Sequence, residues 1–235
     1  MRSLAISSFL CLVLIGCTIV PDQKADEAAQ SPTGTGAVIT FEELQAMADA
    51  GDADAQFNLG SLYLEGTQIS RDVEKAFTWL EKSAENGNVK AQFNVGMLYY
   101  DGTEIAQDLT KARQLFTMAS NQGNERAQYN LGVMYYRGEG VEKDFTKTLD
   151  LFQKAAKQGF DQAQFNLGVM YAKGEGIAEN ALDAYAWFSI AAEAGNPKAK
   201  EVLKAAEAKL TPLERSLANG RIDTLKKSIT EPSTN

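Results

Sequence analysis

Between residues 55 and 174 the apolar positions recur with two periods at once. Within each segment they fall three and four residues apart, the face of a 3.6-residue helix. Between segments the whole pattern returns every 36 residues: AQFNLGSLYLEG at 55, AQFNVGMLYYDG at 91, AQYNLGVMYYRG at 127 and AQFNLGVMYAKG at 163. Ala55, Ala91, Ala127, Ala163 and Ala199 mark successive steps, as do Gly60, Gly96, Gly132 and Gly168. A fixed period of this size predicts two-helix units, each unable to bury its apolar face alone, so that neighbours must stack.

Polar punctuation places the helix ends. Asp72, Asp108, Asp144 and Asn180 suit N-cap positions one period apart. Gly87, Gly123, Gly159 and Gly195 suit the left-handed position that ends the second helix of each pair, and Gly66, Gly102, Gly138 and Gly174 end the first. Each unit reads as a helix near 53–65, a short loop, and a helix near 73–86. Leu59, Tyr63 and Leu80 fill the space between the two, while Ala55, Gly60, Ala76 and Ala84 admit close approach. Glycine in mid-helix costs about 1 kcal/mol relative to alanine, so the recurrence at Gly60 predicts a helix crossing that a Cβ would obstruct. Ile69, Ile105, Val141 and Ile177 recur in the loops and plug the gap between paired helices.

The ends depart from the period as caps should. Thr40 with Glu43 forms a capping box before a lone helix that closes at Gly51. Lys204 and Glu207 stand where the period asks for glycine and tyrosine, which turns polar groups outward. Thr211-Pro212-Leu213-Glu214 is a second capping box, opening a final helix to about Ile229, and residues 230–235 read as a frayed tail.

The pattern AxxxLGxxYxxGxG(V/I)xxDxxKA resembles the Sel1-like repeat subclass of tetratricopeptide proteins over residues 40–229. Its length suits that subclass better than the parent repeat of about 34 residues. Thr148, where alanine is usual, and Phe160, where Asn or Asp would cap, depart from the pattern. The resemblance implies an all-α fold, a right-handed α-solenoid of antiparallel helix pairs. Its four repeats (about 55–90, 91–126, 127–162 and 163–198) lie between capping helices. It also implies a concave face lined by first helices and a role in protein–protein interaction or complex assembly.

A helical wheel locates that face. With Leu59 taken to face the second helix, Tyr63, Leu62 and Ala55 fall within about 60° of it. Phe57, with Asp54, Ser61, Leu64 and Glu65, falls roughly 140–240° away, on the groove side. Over four units that side carries Phe57, Phe93, Tyr129 and Phe165, then Tyr100 and Tyr136, with Met97, Val133 and Val169 between. Lys90, Arg126, Arg137 and Lys173 stand against Asp54, Glu65 and Asp101. Aromatic side chains on a face turned from the helix partner suggest a binding surface. Two roles fit the Phe57 series: ligand contact, or spacers between adjacent first helices. Tyr100, Tyr136, Arg137 and Lys173 are better placed for a ligand. Asn58, Asn94, Asn130 and Asn166 recur as well, and an amide can both donate and accept. In related tetratricopeptide proteins the matching asparagine binds peptide backbone or a terminal carboxylate, so the resemblance makes these four partner-binding candidates; a hydrogen bond between repeats competes. The glutamines at 56, 92, 128 and 164 lie nearer the packed side and read as structural.

Residues 1–17, MRSLAISSFLCLVLIGC, carry a positive start and an apolar run from Leu4 to Ile15. The run is shorter than the roughly 20 residues a membrane-spanning helix needs and has the proportions of a secretory signal. Leu14-Ile15-Gly16-Cys17 resembles the bacterial lipobox, which implies removal of residues 1–16 and lipidation of Cys17. Cys11 lies in the segment to be removed, so the mature chain has one cysteine and no internal disulfide. Multiple acyl chains anchor stably, and Thr18, where the sorting rule uses Asp for inner-membrane retention, points to the outer membrane facing the periplasm. Residues 17–39 are poor in large apolar groups and read as a flexible tether.

Composition narrows the chemistry. Apolar content of 44% and charged content of 23% are those of a globular chain. A net charge of −8 argues against a general nucleic-acid partner. The 235 residues include no histidine, which removes imidazole as base, proton shuttle or metal ligand. Neither G-x-S-x-G nor Ser-x-x-Lys occurs. No catalytic residue, metal, cofactor or small-molecule substrate is expected; the expected partners are a protein or peptide segment and, through Cys17, the membrane. The chain reads as a lipid-anchored scaffold of the bacterial envelope, serving secretion or export assembly, or alternatively as a periplasmic regulator that restrains a sensor or enzyme.

Overall fold

The structure, a computed structural model, describes residues 39–230, with eleven helices and no strand among them. The signal segment, the lipidation site Cys17, the tether up to residue 38 and the tail from 231 lie outside the described residues. The helices are α1 (Phe41–Asp49), α2 (Ala53–Glu65), α3 (Val73–Glu85), α4 (Val89–Asp101), α5 (Leu109–Asn121) and α6 (Glu125–Arg137), then α7 (Phe145–Lys157), α8 (Asp161–Lys173), α9 (Ala181–Glu193), α10 (Pro197–Ala208) and α11 (Pro212–Thr230).

Their ends follow the polar punctuation. The carboxylate of Asp72 accepts from the Lys75 amide at 3.0 Å, Asp144 does the same from Lys147 at 2.9 Å, and Asn180 from Asp183 at 3.0 Å. Such caps contribute about 1 kcal/mol each. Both capping boxes form: Glu43 and Glu214 each take a backbone N–H, from Thr40 and Thr211, at 2.8 Å. Gly66 ends α2 at φ +68°, where its own N–H still reaches Leu62 O. Phe160 supplies no side-chain cap to α8; its ring instead lies 5.1 Å from that of Tyr129.

Residues 39–127 and 128–230 form two compact units. In the first, each helix packs on the next from α1 to α5, so a first helix such as α4 is held between the second helix before it and its own. The recurrent glycine lies at the latter crossing. A Cβ on Gly60 would stand 2.8 Å from Leu80, and one on Gly96 2.8 Å from the Phe116 ring. In the second unit α7, α8, α9 and α10 pack in succession, and α11 covers α9 and returns to α7. A Cβ on Gly132 or Gly168 would meet Phe152 or Phe188 at 2.7 and 2.6 Å. Thr148, fully buried, satisfies its hydroxyl on the carbonyls of Asp144 and Gly132, at 2.9 and 3.3 Å. Ile177 packs against the core of this unit, as a loop plug should.

The buried glutamines tie hairpin to hairpin. Gln56, Gln92 and Gln164 donate to the carbonyls of Ala48, Ala84 and Ala156, near the end of the preceding helix, at 3.0, 3.1 and 3.2 Å. Their own carbonyls face the end of the following second helix. Asn86 donates to Gln56 at 2.9 Å, and Gln122 to Gln92 and Gln158 to Gln128 at 2.8 Å. The corresponding residue for Gln164 is Ala194, and the Gln164 Oε1 is buried without a partner.

At the C-terminal end α10 buries Ala199 and leaves Lys204 and Glu207 exposed. The Arg221 guanidinium of α11 pairs with Asp183 of α9, whose carboxylate also accepts from Asn180 at 3.0 Å.

Candidate interaction surface

The first helices bring forward only part of the residue set that their register suggested. Phe57, Phe93, Tyr129 and Phe165 are 7%, 1%, 0% and 2% exposed, so no partner reaches these rings. Two of them do meet the next first helix: Lys90 of α4 lies 6.0 Å over the Phe57 ring of α2, and Asn166 of α8 donates to the Tyr129 hydroxyl of α6 at 3.2 Å. Phe93 packs on Phe116 with centroids 5.8 Å apart, Tyr129 on Phe152 at 5.4 Å, and Phe165 on Phe188 at 5.6 Å. Each pair joins a first helix to the second helix of its own hairpin. The wheel placed Phe57 and its equivalents on an open side because it allowed the helix one neighbour and took Leu59 to face it, whereas Leu59 clusters with Leu44 and Ala48 of α1 and the rings face the second helix. A helix within the stack has two, and the apolar arc that meets them is wider. Met97, Val133 and Val169 are buried for the same reason.

The asparagines divide. Asn130 and Asn166 are 0% and 4% exposed, and Asn166 Nδ2 donates to the Tyr129 hydroxyl at 3.2 Å. For Asn166 the hydrogen bond inside the stack holds against the partner contact, and burial leaves a partner no approach to either. Asn58 and Asn94 stay half-buried and accessible. The glutamines at 56, 92, 128 and 164 are buried and structural, as their position on the packed side implied.

Tyr100, Tyr136, Arg137 and Lys173 all keep partial exposure at the C-terminal ends of first helices. In the second unit two of them meet at one acid and a third has an acid of its own. Tyr136 donates its hydroxyl to Glu175 Oε2 at 2.9 Å, and Lys173 Nζ lies 3.5 Å from Glu175 Oε1. Arg137 Nη1 meets Glu139 at 3.3 Å. Glu139 and Glu175 are acidic neighbours that the register argument overlooked. Their signal was the Gly-Glu-Gly at 138–140 and 174–176, whose glycines carry φ of +75°, +65°, +70° and +74° and turn each acid back toward the helix it follows. In the first unit Tyr100 holds the loop, its carbonyl accepting from Gln107 Nε2 at 2.8 Å.

Two hollows adjoin these helices. One lies in the first unit among α3, α4 and α5, about 230 Å³, where the Tyr99 hydroxyl donates to Glu81 at 2.6 Å and accepts from Lys111 at 2.9 Å. Burial pushes the Tyr99 phenol up, and the Glu81 carboxylate adds to the shift. The other lies in the second unit among α8, α9 and α10. It is a cavity of about 60 Å³ walled by Val169, Ala172, Ala181, Phe188, Val202 and Ala206, with Glu179 and Lys209 as its charged lining. Neither charge enters an ion pair among the described residues. No group of three or more acidic or cysteine side chains among the described residues could hold a metal ion.

This arrangement, helix hairpins tied by backbone-directed amides with polar and aromatic residues at the helix ends, is a repeat scaffold. The model of the Sel1 repeat matches four successive segments, 53–88, 89–124, 125–160 and 161–196, and the chain belongs to that family. It is similar to the crystal structure of c5321, described as a protective antigen of uropathogenic Escherichia coli strains displaying an SLR fold, at 31% identity and a TM-score of 0.71. That match covers 80% of this chain and 40% of c5321, so the chain spans well under half of that protein's length. It is also similar to a Sel1 repeat protein from Oxalobacter formigenes, at 32% identity and a TM-score of 0.64, over 80% of this chain and 78% of that one. A comparison with curated proteins finds no match. The fold class is accordingly the all-α solenoid of antiparallel helix pairs, with four repeats of about 36 residues. Sel1 repeats mediate protein–protein interaction.

Proposed function

We propose that the protein is a lipid-anchored interaction scaffold of the bacterial envelope, tethered through Cys17, whose first-helix ends hold a peptide segment of an envelope protein during secretion or export assembly. The observation that carries this reading is the second unit, where Tyr136, Arg137 and Lys173 stand partly exposed at helix ends and an apolar pocket lies among α8, α9 and α10. Side chains of this kind, amphipathic anchors next to a desolvated recess, are those that dominate binding energy at interfaces. The repeats spend their interior groups on packing and leave chemistry to the partner. The lipobox-like Leu14-Ile15-Gly16-Cys17 supports anchoring, and the composition of residues 17–39 supports a tether that keeps the repeats clear of the membrane.

The test is crosslinking in intact cells from a photoreactive residue at position 136, compared with one at the exposed position 150 on α7. A partner caught from 136 and not from 150 is the expected result; equal capture from both, or none, refutes the scaffold reading. Anchoring is tested separately. Cys17→Ser should move the protein from the membrane to the soluble fraction and abolish incorporation of labelled fatty acid, and unchanged fractionation would remove the anchor from the reading.

A further inference from the structure

The 36-residue period makes the apolar pocket of the second unit interpretable residue by residue. In the third repeat Tyr136 sets its ring edge-on against Phe145, centroids 5.5 Å apart. One period later the same two positions are Ala172 and Ala181, and both line the pocket. Two further walls shrink in step, Thr148 becoming Ala184 and Met170 becoming Ala206. Phe188, the counterpart of Phe152, remains as the floor. The recess is what is left when one tyrosine–phenylalanine pair is deleted and neighbouring walls are trimmed around Phe188. Its 60 Å³ admits about four water-sized spheres, the scale of one side chain and not of a cofactor.

The charges at its edge repeat the same omission. Arg137 is answered by Glu139 two residues on, and Lys173 by Glu175. The third cation of the row, Lys209, is followed at that offset by Thr211, which is committed to its capping box with Glu214. The α8–α9–α10 frame therefore lacks the aromatic pair that the frame before it has and the carboxylate that follows Lys173, and its own acid, Glu179, lines the pocket without pairing to Lys209.

We infer that this pocket takes one aromatic side chain of an extended partner segment, with an adjacent acidic residue of that segment meeting Lys209. The inference rests on the peptide-binding reading above and supplies its sequence preference: an Asp or Glu next to Tyr or Phe. The partner completes the repeat, placing a ring where Tyr136 and Phe145 sit one unit earlier and a carboxylate where Glu175 sits.

The test uses the full folded chain without its signal segment and four-residue probes. Ac-Ala-Glu-Tyr-Ala-NH2 should shift the methyl resonances of Val169 and Val202 saturably at millimolar concentration. Ac-Ala-Glu-Ala-Ala-NH2 and Ac-Ala-Lys-Tyr-Ala-NH2 should bind at least about tenfold more weakly. Ala172→Tyr combined with Ala181→Phe should fill the recess and abolish the shifts. Lys209→Glu, at an exposed position that does not threaten folding, should reverse the preference between the acidic and basic probes. No saturable shift with the acidic aromatic probe, equal shifts with its alanine version, or undiminished binding by the filled variant overturns the inference. A cellular partner caught equally by wild type and filled variant would overturn the pocket alone and leave the scaffold standing. Peptide binding without any partner caught from position 136 would do the opposite.

Discussion

Replacing Ala194 by glutamine should stabilise the protein, although it adds a polar side chain to a helix end. Gln56 and Gln92 each tie one hairpin to the next through two hydrogen bonds, whereas Gln164 makes one. Gln164 donates to Ala156 O at 3.2 Å, while its 2%-exposed side chain keeps Oε1 unpartnered. In the three earlier repeats the donor is Asn86, Gln122 or Gln158, thirty positions on, at 2.8–2.9 Å. Ala194 occupies that position at the exposed C-cap of α9, with ordinary right-handed backbone, so a longer side chain meets no steric bar. A buried acceptor without a partner costs about 1–3 kcal/mol. Ordering the new glutamine side chain costs about 1–2 kcal/mol, which leaves a net gain of about 0.5 kcal/mol. For a chain of this size that corresponds to about 1–2 °C in melting temperature. Ala194→Glu is the matched control, since a carboxylate of similar shape has no proton to donate at neutral pH. Thermal unfolding followed by circular dichroism measures all three. The reasoning fails if Ala194→Gln melts no higher than wild type, or if glutamate raises the midpoint as much as glutamine does.

Three further outcomes follow from the same geometry. Gly96→Ala should lose about 1–2 kcal/mol despite better helix propensity, because its Cβ meets the Phe116 ring at 2.8 Å inside a filled core. Gly220→Ala, with nothing within 4 Å, should gain up to about 1 kcal/mol; chemical denaturation of both variants separates crossing from propensity, and two changes of the same sign would undo the argument. Arg221→Met should cost about 2 kcal/mol by stranding the Asp183 carboxylate, with faster amide exchange confined to α9 and α11 and recovery when Asp183→Asn is added. The backbone amides of Lys75 and Lys147 hold the carboxyls of Asp72 and Asp144 below the ordinary 3.8, and that of Thr211 holds Glu214 below 4.5. A depressed folded-state value means stability fully present above the unfolded value and lost as pH falls through the folded one. Melting temperature should therefore fall on acidification below about pH 4.5, and Asp72→Asn with Asp144→Asn, which keeps the caps and removes the titration, should flatten that limb. Parallel acid limbs for wild type and variant would count against the assignment.

Much of the hairpin stack could be read from spacing alone. The period, the caps at Asp72, Asp144 and Asn180, the two capping boxes, the polar outer face of α10 and the close crossing at Gly60 depend on local backbone chemistry or on a repeated single residue. Such features need only a sequence window of one turn or one unit. The interaction surface was less legible. A helical wheel orders residues around one axis, and it correctly kept the glutamines inward. It cannot count how many helices surround that axis, so it left Phe93 and Tyr129 on an open side when both are sealed against a second helix.

What the chain determines by itself is the unit: a 36-residue helix pair with its stops, its tight crossing and its amide ties, because each of these is a short-range property of residues at fixed offsets. What only the tertiary structure decided is which side chains remain reachable. Ala172 and Ala181 announce a break in the period, but a run of small residues can draw helices together as readily as it can leave room between them. The second unit leaves room, since its helices are already positioned by Phe188, the glutamine ties and the α11 clamp, and a frame held from several sides does not collapse onto one missing pair of rings.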